Sequence, residues 1–245
     1  LNAIIGFSNI LASTEEEQEK QEYINIIESN NTLLLQLISD ILDLSKIEAG
    51  TLEFSYSNID LNDMIKEVEN ITKCRMEGSG VQLIAETPLS SCFIRTEKNR
   101  LMQVINNFLT NAIKFTQKGS ITFGYEIRDK MLYFHVTDTG CGIPANKKDS
   151  IFGRFVKLNS FAQGTGLGLS ICRTIIEHMN GTIGVESEEG KGSTFWFTIP
   201  YQPARLSEKK AEEFQPITVQ KDKLTILIAE DNESNYRLFQ SILRK

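Results

Sequence analysis

The chain has 245 residues, of which 40% are apolar and 24% are charged, and its formal net charge is −6. This composition is ordinary for a soluble globular protein, and the length allows one large domain or two small ones. The acidic balance argues against a nucleic-acid-binding protein, because neutralising phosphates needs a basic face. We expect no membrane-spanning helix, since such a helix needs roughly 18–20 consecutive apolar residues.

The ends and the cysteines give two further expectations. The sequence begins at Leu1 without an initiator methionine and stops inside a predicted helix, so we expect it to be a piece of a longer protein. No signal-peptide pattern is visible in the residues given. Its four cysteines are widely scattered and show no C-x-x-C spacing. Reduced thiols in a cytoplasmic compartment are therefore expected instead of a metal centre or a disulfide framework.

Residues 1–50 are predicted to form two helices. The spacing of Ser13 and Glu16, or of Thr14 and Glu17, is that of a capping box, which predicts the start of the second helix. Gly50 is predicted to end it. Side chains along this helix recur at alternating steps of four and three, the spacing of a bundle seam. The seam consists of Tyr23, Ile27, Asn30, Leu34, Leu37, Ile41 and Leu44, and it is widened by Ile26, Leu33 and Ile38.

A stripe this wide is typical of a four-helix bundle, and two helices cannot bury it alone. We therefore expect two chains to pair through this helical hairpin. Asn30 within the seam either fixes the register of the pairing or lies at a solvated edge.

From 51 to 200 the pattern is mixed. Helices are predicted at about 61–77, at about 97–115 and over "SICRTIIEHM". Predicted strands are "LEFSYSNIDL", "VQLIAET", "SITFGYEI", "MLYFHVTD", "GTIGVES" and "GSTFWFTIP", with hairpins at "RDK" and "EEGK". Mostly antiparallel strands with a few long helices indicate an α+β two-layer sandwich.

Residues 201–222 are charged and contain two prolines, which is typical of a linker. The pattern of the segment that follows, "KLTILIAEDNESNYRLF", predicts a buried strand, then an acidic pair at Glu230 and Asp231, and then the start of a helix.

Two stretches carry polar groups suited to a nucleotide. In "NNFLTNAIKFT", Asn107, Asn111 and Lys114 share one helix face, where amide oxygens can ligate Mg²⁺ and the ammonium can neutralise phosphate; a solvated face is the alternative. In "DTGCGI", Asp138 can accept a hydrogen bond from the amine of adenine, while Gly140 and Gly142 let a ring approach the backbone; the alternative is a plain turn.

Two further stretches suit phosphate. In "IFGRFVK", Phe152 and Phe155 are predicted apolar anchors, and Arg154 and Lys157 either reach a phosphate or face water. In "GTGLGL" glycines alternate just before a helix, so that bare N–H groups and the positive end of the helix dipole coincide. By itself that stretch fits a dinucleotide fold, a nucleotide lid or a tight turn. Its residues are Gly164, Thr165, Gly166, Leu167 and Gly168.

In this order and spacing, the four stretches resemble the N, G1, F and G2 boxes of sensor histidine kinases, over nearly all of residues 1–200. The resemblance implies a dimeric hairpin at 1–50 and a Bergerat-type ATP-binding sandwich at 51–200. It further implies a linker at 201–222 and, at 223–245, the start of a receiver domain with its acidic pair for Mg²⁺. The parent would be a hybrid histidine kinase.

The resemblance also implies site roles. Asn107 and Asn111 would bind Mg²⁺ and act in catalysis with Lys114, and Lys157 would help to neutralise phosphate. Asp138, Gly140 and Gly142 would hold adenine, and residues 164–168 would hold the phosphates. The implied cofactors are ATP and Mg²⁺. The implied partners are a second copy of the chain and a receiver domain, with no nucleic acid or membrane contact by this cytoplasmic piece, whether or not its parent is membrane-anchored.

The family's phosphoacceptor histidine lies in H-E-[LI]-R-T-P, which "LNAIIGF" would directly follow. The two histidines present, His135 and His178, fall in the predicted nucleotide domain and are expected to be structural. We therefore expect this chain to bind ATP without phosphorylating itself. Two alternatives are a non-catalytic docking module and a gyrase-type ATPase; Asn107, an amide that cannot take a proton, disfavours the second.

Overall fold

In a computed structural model, residues 2–11, 13–156, 165–204 and 233–243 are described. The chain divides into two compact units, 1–205 and 206–245. The helices of the first unit are α1 (Asn2–Leu11), α2 (Glu17–Glu48), α3 (Leu61–Arg75), α4 (Lys98–Phe115) and α5 (Gly168–His178). Its strands are β1 (Ser57–Asp60), β2 (Val81–Glu86), β3 (Phe93–Thr96), β4 (Gly119–Arg128), β5 (Met131–Asp138), β6 (Thr182–Glu188) and β7 (Gly192–Pro200).

Within the first unit, the elements from β1 to β7 form a compact part that we call the α/β unit, residues 51–204. A five-stranded sheet in the order β2-β4-β5-β7-β6 forms one of its layers. Neighbouring strands are antiparallel except β2 and β4, which are parallel. Helices α3, α4 and α5 contact the sheet strands. The predicted α+β sandwich is confirmed. The sequence did not predict β3, a strand of only four residues that pairs with β1 in a separate two-stranded sheet.

The core lies between the helices and the sheet. Along β5 every second residue is buried, ending with Asp138, because alternate side chains of a strand point to the same face. Phe134 of β5 stacks on Phe197 of β7 with ring centroids 4.7 Å apart, and Phe108 of α4 packs 5.3 Å from Phe195. This register brings Asp138 to the helix-facing side of the sheet, at the end of its strand.

Tight turns join the strands as predicted. β4 and β5 form a hairpin in which Asp129 and Lys130 both adopt positive φ, the backbone of a type I′ turn. β6 and β7 form the second hairpin around 189–191.

The helical hairpin agrees with the predictions in part. Phe7 of α1 packs on Tyr23 of α2 at 5.4 Å. Gly50 adopts φ +65° after the last turn of α2, as predicted for a residue that ends a helix. The predicted capping box is wrong: Ser13 and Thr14 both donate to Ile10 O, so these hydroxyls satisfy the end of α1 and leave α2 without a side-chain cap.

The exposed apolar side chains of α2 lie partly within the predicted seam and partly beside it. Ile41, at 53% exposure, is the one seam member whose side chain is largely exposed, and Leu44 packs against the core of the α/β unit. The Asn30 amide bonds to Ile26 O of its own helix at 2.8 Å. The exposed apolar side chains of this region are Leu35, Ile38, Ile41 and Leu42.

The second unit is described only for α6 (Glu233–Leu243), which agrees with the helix predicted there. The predicted strand before it, Glu230 and Asp231, and most of the predicted linker lie outside the described residues. Within the described ranges, no helix is long and apolar enough to cross a membrane.

Candidate functional site

One face of α4 carries the predicted polar residues. Asn111 Nδ2 donates to Asn107 Oδ1 at 3.3 Å, so the two side chains lie together as the four-residue spacing predicted. Both residues are half-buried, and Lys114 one turn further on is exposed, with Nζ 4.9 Å from the Phe115 ring. Oδ1 of Asn107 accepts this bond and keeps a second lone pair, whereas Oδ1 of Asn111 takes no part in it, so Asn111 Oδ1 is the stronger candidate of the two for a cation.

Asp138 lies at the end of β5 with only 6% of its surface exposed. Gly140 N donates to its Oδ1 at 2.8 Å. Burial raises the pKa of the Asp138 carboxyl above its ordinary value, and hydrogen bonds from the Gly140 and Ser193 amides oppose that rise. A buried acceptor of this kind suits a ligand that brings an N–H donor.

The loop after Asp138 is folded tightly against the end of α4. A Cβ built on Gly140 would lie 2.4 Å from Phe115 O, and Cys141 N donates to the same carbonyl at 3.3 Å. Gly142 adopts φ +67° and approaches Glu188 O, which a Cβ would meet at 2.1 Å. Only glycine fits these two positions.

The turn of residues 165–168 precedes α5. Gly166 adopts φ +72°, and a Cβ there would meet the Phe155 backbone at 2.9 Å. A Cβ on Gly168 would lie 2.2 Å from Asn107 Nδ2. Leu167 is the N-cap of α5 and provides no side-chain cap, so the first amides of this helix are suited to an anion.

Helix α4 therefore contacts both of the predicted glycine segments. Asn107 touches the turn at Gly168, and Phe115 touches the loop at Gly140. Lys157 and Gly164 lie outside the described residues. The polar groups on these elements fit an adenosine triphosphate with its cation. They are a buried carboxylate, two side-chain amides, an ammonium and uncapped backbone amides at a helix start.

The "IFGRFVK" stretch agrees with the prediction at Phe152 and differs from it at Phe155. Phe152 is buried as expected, but Phe155 is 69% exposed, so the prediction of two apolar anchors is wrong for the second. Phe155 also has φ +60°, an uncommon backbone conformation for a bulky residue. Arg154 Nη1 donates to Glu48 Oε1 of α2 at 2.5 Å, so this guanidinium faces the hairpin.

Both histidines lie in the α/β unit. His178 stacks on Phe54 with ring centroids 5.6 Å apart, and His135 Nε2 lies 3.2 Å from Glu86 Oε2. These contacts agree with the structural roles expected for them.

Sequence reasoning missed two acidic residues of α2, Asp40 and Asp43, which are 3% and 8% exposed. Asp43 accepts from Arg100 Nη1 at 2.9 Å and from Gln103 Nε2 at 2.8 Å, both on α4. Asp40 accepts from Thr165 Oγ1 at 2.8 Å. The available signal was their spacing, since two carboxylates three residues apart share a face with the apolar Leu44.

Comparison with known proteins gives two family matches. Residues 96–203 match the model described as "Histidine kinase-, DNA gyrase B-, and HSP90-like ATPase". Residues 1–50 match the "His Kinase A (phospho-acceptor) domain".

Curated proteins and solved structures agree with these matches. The aerobic respiration control sensor protein ArcB of Escherichia coli (strain K12) is 34% identical over all of this chain and 32% of the relative. The sensor protein GacS of Pseudomonas syringae pv. syringae is 34% identical over 86% of this chain and 24% of the relative. The chain thus spans about a third or less of the length of these relatives.

Two structures cover different parts of the fold. The catalytic domain of histidine kinase ThkA is 33% identical with a TM-score of 0.55, over 60% of this chain and 97% of that one. Full-length ShkA in complex with AMPPNP is 29% identical with a TM-score of 0.67, over 83% of this chain and 43% of that one.

Proposed function

The chain belongs to the histidine kinase family, and on that basis we propose that it is the kinase core of a hybrid sensor in a two-component system. The α/β unit binds ATP with Mg²⁺ and presents the γ-phosphoryl group to a histidine nitrogen, and a receiver aspartate takes the phosphoryl group next. The match of residues 96–203 to an ATPase family supports the nucleotide-binding part. The match of residues 1–50 to a phosphoacceptor domain supports the transfer part.

One observation carries this proposal: α4 meets both glycine segments. Asn107 lies against Gly168, and the Phe115 carbonyl lies against Gly140. A polar helix face bounded at one end by uncapped helix amides and at the other by a loop with a buried carboxylate suits a ligand that has phosphates at one end and a base at the other.

Each predicted residue then has a role. Asn111 ligates Mg²⁺ with the help of Asn107, and Lys114 and Lys157 neutralise phosphate. Asp138 accepts the adenine amine, with Gly140 and Gly142 giving the ring access to the backbone. The last group holds phosphate through backbone N–H groups and consists of Gly164, Thr165, Gly166, Leu167 and Gly168. Phosphoryl transfer depends mainly on such positioning and charge neutralisation.

The proposal divides the chain into four parts. Residues 1–50 pair with a second copy, 51–200 bind the nucleotide, 201–222 link, and 223–245 begin a receiver domain. A receiver domain of this or another chain is the expected phosphoryl acceptor. The histidine kinase ThkA, to which this chain is similar, has been crystallised in complex with a response regulator protein. The site works in the cytoplasm, where ATP is available.

This chain is expected to bind ATP without modifying itself, because both of its histidines have structural contacts in the α/β unit. It is also expected to hydrolyse ATP slowly. An amide at position 107 cannot accept a proton from water, so the nucleotide is preserved for a histidine.

Titration of the purified chain with a fluorescent ATP analogue, with Mg²⁺ and then with EDTA, tests the proposal. Saturable, Mg²⁺-dependent binding with ATP turnover far below about 10 per second is the expected result. A folded chain that binds no nucleotide would instead be a docking module, and ordinary ATPase turnover would favour a gyrase-type enzyme.

A further inference from the structure

A chain of hydrogen bonds runs from α2 to the turn before α5. Leu167 N donates to Thr165 Oγ1 at 3.1 Å, and Thr165 Oγ1 donates to Asp40 Oδ2 at 2.8 Å. The other oxygen of Asp40 accepts from Gln36 Nε2 at 2.7 Å. We call this chain from Leu167 to Asp40 the turn relay. Its bond between Thr165 and Asp40 joins residues 125 positions apart in the sequence.

The turn relay engages groups that the proposed function assigns to phosphate. Leu167 is the N-cap of α5, and its N–H points at the Thr165 hydroxyl. A donor has one hydrogen to give, so this amide cannot serve a phosphate oxygen while the relay is intact. Gly166 lies between the two and has positive φ, so the turn can be rebuilt without a side-chain clash.

The Thr165 hydroxyl and a phosphate thus compete for the Leu167 amide, and the charge of Asp40 also disfavours the phosphate. Asp40 is 3% exposed, and the two described groups that donate to it, a hydroxyl and a carboxamide, are neutral. Asp43 one turn further on is different, because it pairs with the Arg100 guanidinium. Among the residues that the structure describes, Asp40 has no cationic partner, and a buried carboxylate of this kind is stabilised by the positive end of a nearby helix, here that of α5.

The negative charge of Asp40 influences a titratable group within α5. Burial raises the pKa of the Cys172 thiol, and the charge of Asp40 raises it further. Cys172 lies in the second turn of α5, so the carboxylate is close to the part of the helix that would face an anion. Two anions, the Asp40 carboxylate and a triphosphate, then share one positive helix end.

We propose that Asp40 is a positioning residue whose contact with Thr165 opposes nucleotide binding, so that loading of the site and docking of α2 on the turn exclude one another. The inference rests on the proposed function, because it assigns a regulator to the same site. Binding couplings are reciprocal: if docking of α2 weakens nucleotide binding, the nucleotide must weaken docking by the same factor. The contacts of Asp43 with Arg100 and of Glu48 with Arg154 keep α2 near the unit when the relay opens.

The test compares Asp40→Asn and Asp40→Ala with the unchanged chain in titrations with a fluorescent ATP analogue and Mg²⁺. Both substitutions are expected to tighten binding about 5-fold or more, within the usual range of allosteric coupling. Asp63→Asn is the matched control, since Asp63 is an exposed acidic residue of α3 and its removal changes the net charge equally. It should leave the affinity unchanged.

Hydrogen exchange of the unchanged chain gives a readout that needs no variant. Addition of Mg²⁺ and AMPPNP should increase amide exchange in residues 36–41, the part of α2 around Asp40, because the nucleotide breaks its contact with the turn while Asp43 and Glu48 keep theirs. A purely structural Asp40 would leave this exchange unchanged or slower.

The outcomes separate the two proposals. If the unchanged chain binds nucleotide and the Asp40 variants bind it equally or more weakly, the relay proposal is wrong and the proposed function stands. If neither the chain nor its variants bind nucleotide while remaining folded, the proposed function is wrong and the relay proposal is lost with it. If the Asp40 variants bind nucleotide and the unchanged chain does not, both the proposed function and the relay proposal are supported.

Discussion

The side-chain amide of Asn107 takes the space that a Cβ on Gly168 would need, with Nδ2 2.2 Å from that position. Gly168→Ala should therefore push the amide aside and break its contact with Asn111, 3.3 Å away. Because the amide is the end of a flexible side chain, we expect the fold to survive with a loss of stability of less than about 2 kcal/mol. Titration with a fluorescent ATP analogue should show at least about a tenfold loss of affinity, the smaller effect expected for a lost hydrogen bond to a charged group.

Gly6→Ala is the matched control for this substitution. A Cβ on Gly6 would meet nothing within 4 Å, and Gly6 lies inside helix α1. Alanine there should leave nucleotide affinity unchanged and should stabilise the helix by about 1 kcal/mol. Unchanged affinity in Gly168→Ala would contradict the placement of phosphate at this helix end.

Asn111→Ala tests the proposed cation ligand. Mg²⁺ prefers oxygen ligands, and Oδ1 of Asn111 is the amide oxygen outside the bond to Asn107. We expect the variant to bind the ATP analogue equally in Mg²⁺ and in EDTA, whereas the unchanged chain should bind it more tightly in Mg²⁺. Thr110→Ala, at an exposed neighbouring position of α4, should keep the Mg²⁺ effect. A full Mg²⁺ effect in Asn111→Ala would assign the cation to other groups.

Some of this site could be predicted from the sequence because it depends on short-range periodicity. The four-residue spacing of Asn107 and Asn111 predicts their contact, and alternation along β5 is consistent with the burial of Asp138. Gly50 was also predictable, since glycine is strongly preferred at the positive φ that ends a helix. The hairpin of β4 and β5 was predictable from the short connection between two strand-like segments.

The remaining features depend on contacts between distant parts of the chain. The hydroxyl of Thr165 bonds to Asp40, which no local pattern could reveal. Ser13 and Thr14 had two helix ends within reach, and they bond to the end of α1. Leu44 fitted the bundle seam by spacing, but it packs against the α/β core because α2 docks there.

Asp138 should give nucleotide binding a distinctive pH dependence. The carboxyl must be ionised to accept the adenine amine, and burial holds its pKa above the ordinary value of 3.8. Affinity for the ATP analogue should therefore decline on acidification from a higher pH than an exposed aspartate would require. Asp138→Asn should lower the affinity for adenine nucleotides about tenfold or more, the expected effect of losing a charged hydrogen-bond acceptor. A pH profile identical in the variant and the unchanged chain would contradict this role.

The same raised pKa affects the stability of the free protein. The native state binds the proton of Asp138 more tightly than the unfolded state, so stability falls as pH rises from 3.8 through the native pKa. The loss then persists at neutral pH. Urea unfolding at several pH values should show this decline, and Asp138→Asn should remove its contribution. The decline should be smaller with bound nucleotide, which favours the ionised carboxyl.

Tyr125→Phe tests a buried polar contact distant from the nucleotide residues. The phenol is fully buried and donates to Asn62 Oδ1 at 2.6 Å. Removing it leaves that oxygen without this donor, which should cost about 1–3 kcal/mol in the free energy of unfolding. Tyr56→Phe, at a residue that is 42% exposed, is the control and should cost little. Nucleotide affinity should be unchanged in both variants, as measured by the same titration.

The exposed apolar face of α2 carries the last prediction. Leu35 is 67% exposed and Leu42 is 56% exposed, seven residues apart and so on the same side of the helix. A large apolar surface of this kind is costly in water, and pairing with a second hairpin would bury it. Light scattering should show a dimer of the unchanged chain and a monomer of the variant carrying Leu35→Glu and Leu42→Glu.

Ile127→Glu is the control for that pair, because Ile127 is 40% exposed on β4 of the sheet. It should remain dimeric. The monomeric double variant should still bind the ATP analogue, since the proposed nucleotide residues belong to the α/β unit. A dimer that persists after both leucines become charged would assign the pairing to the neighbouring face of Tyr23, Ile27 and Leu34, the seam that the sequence periodicity predicts. The two faces of α2 thus make opposite predictions for one measurement.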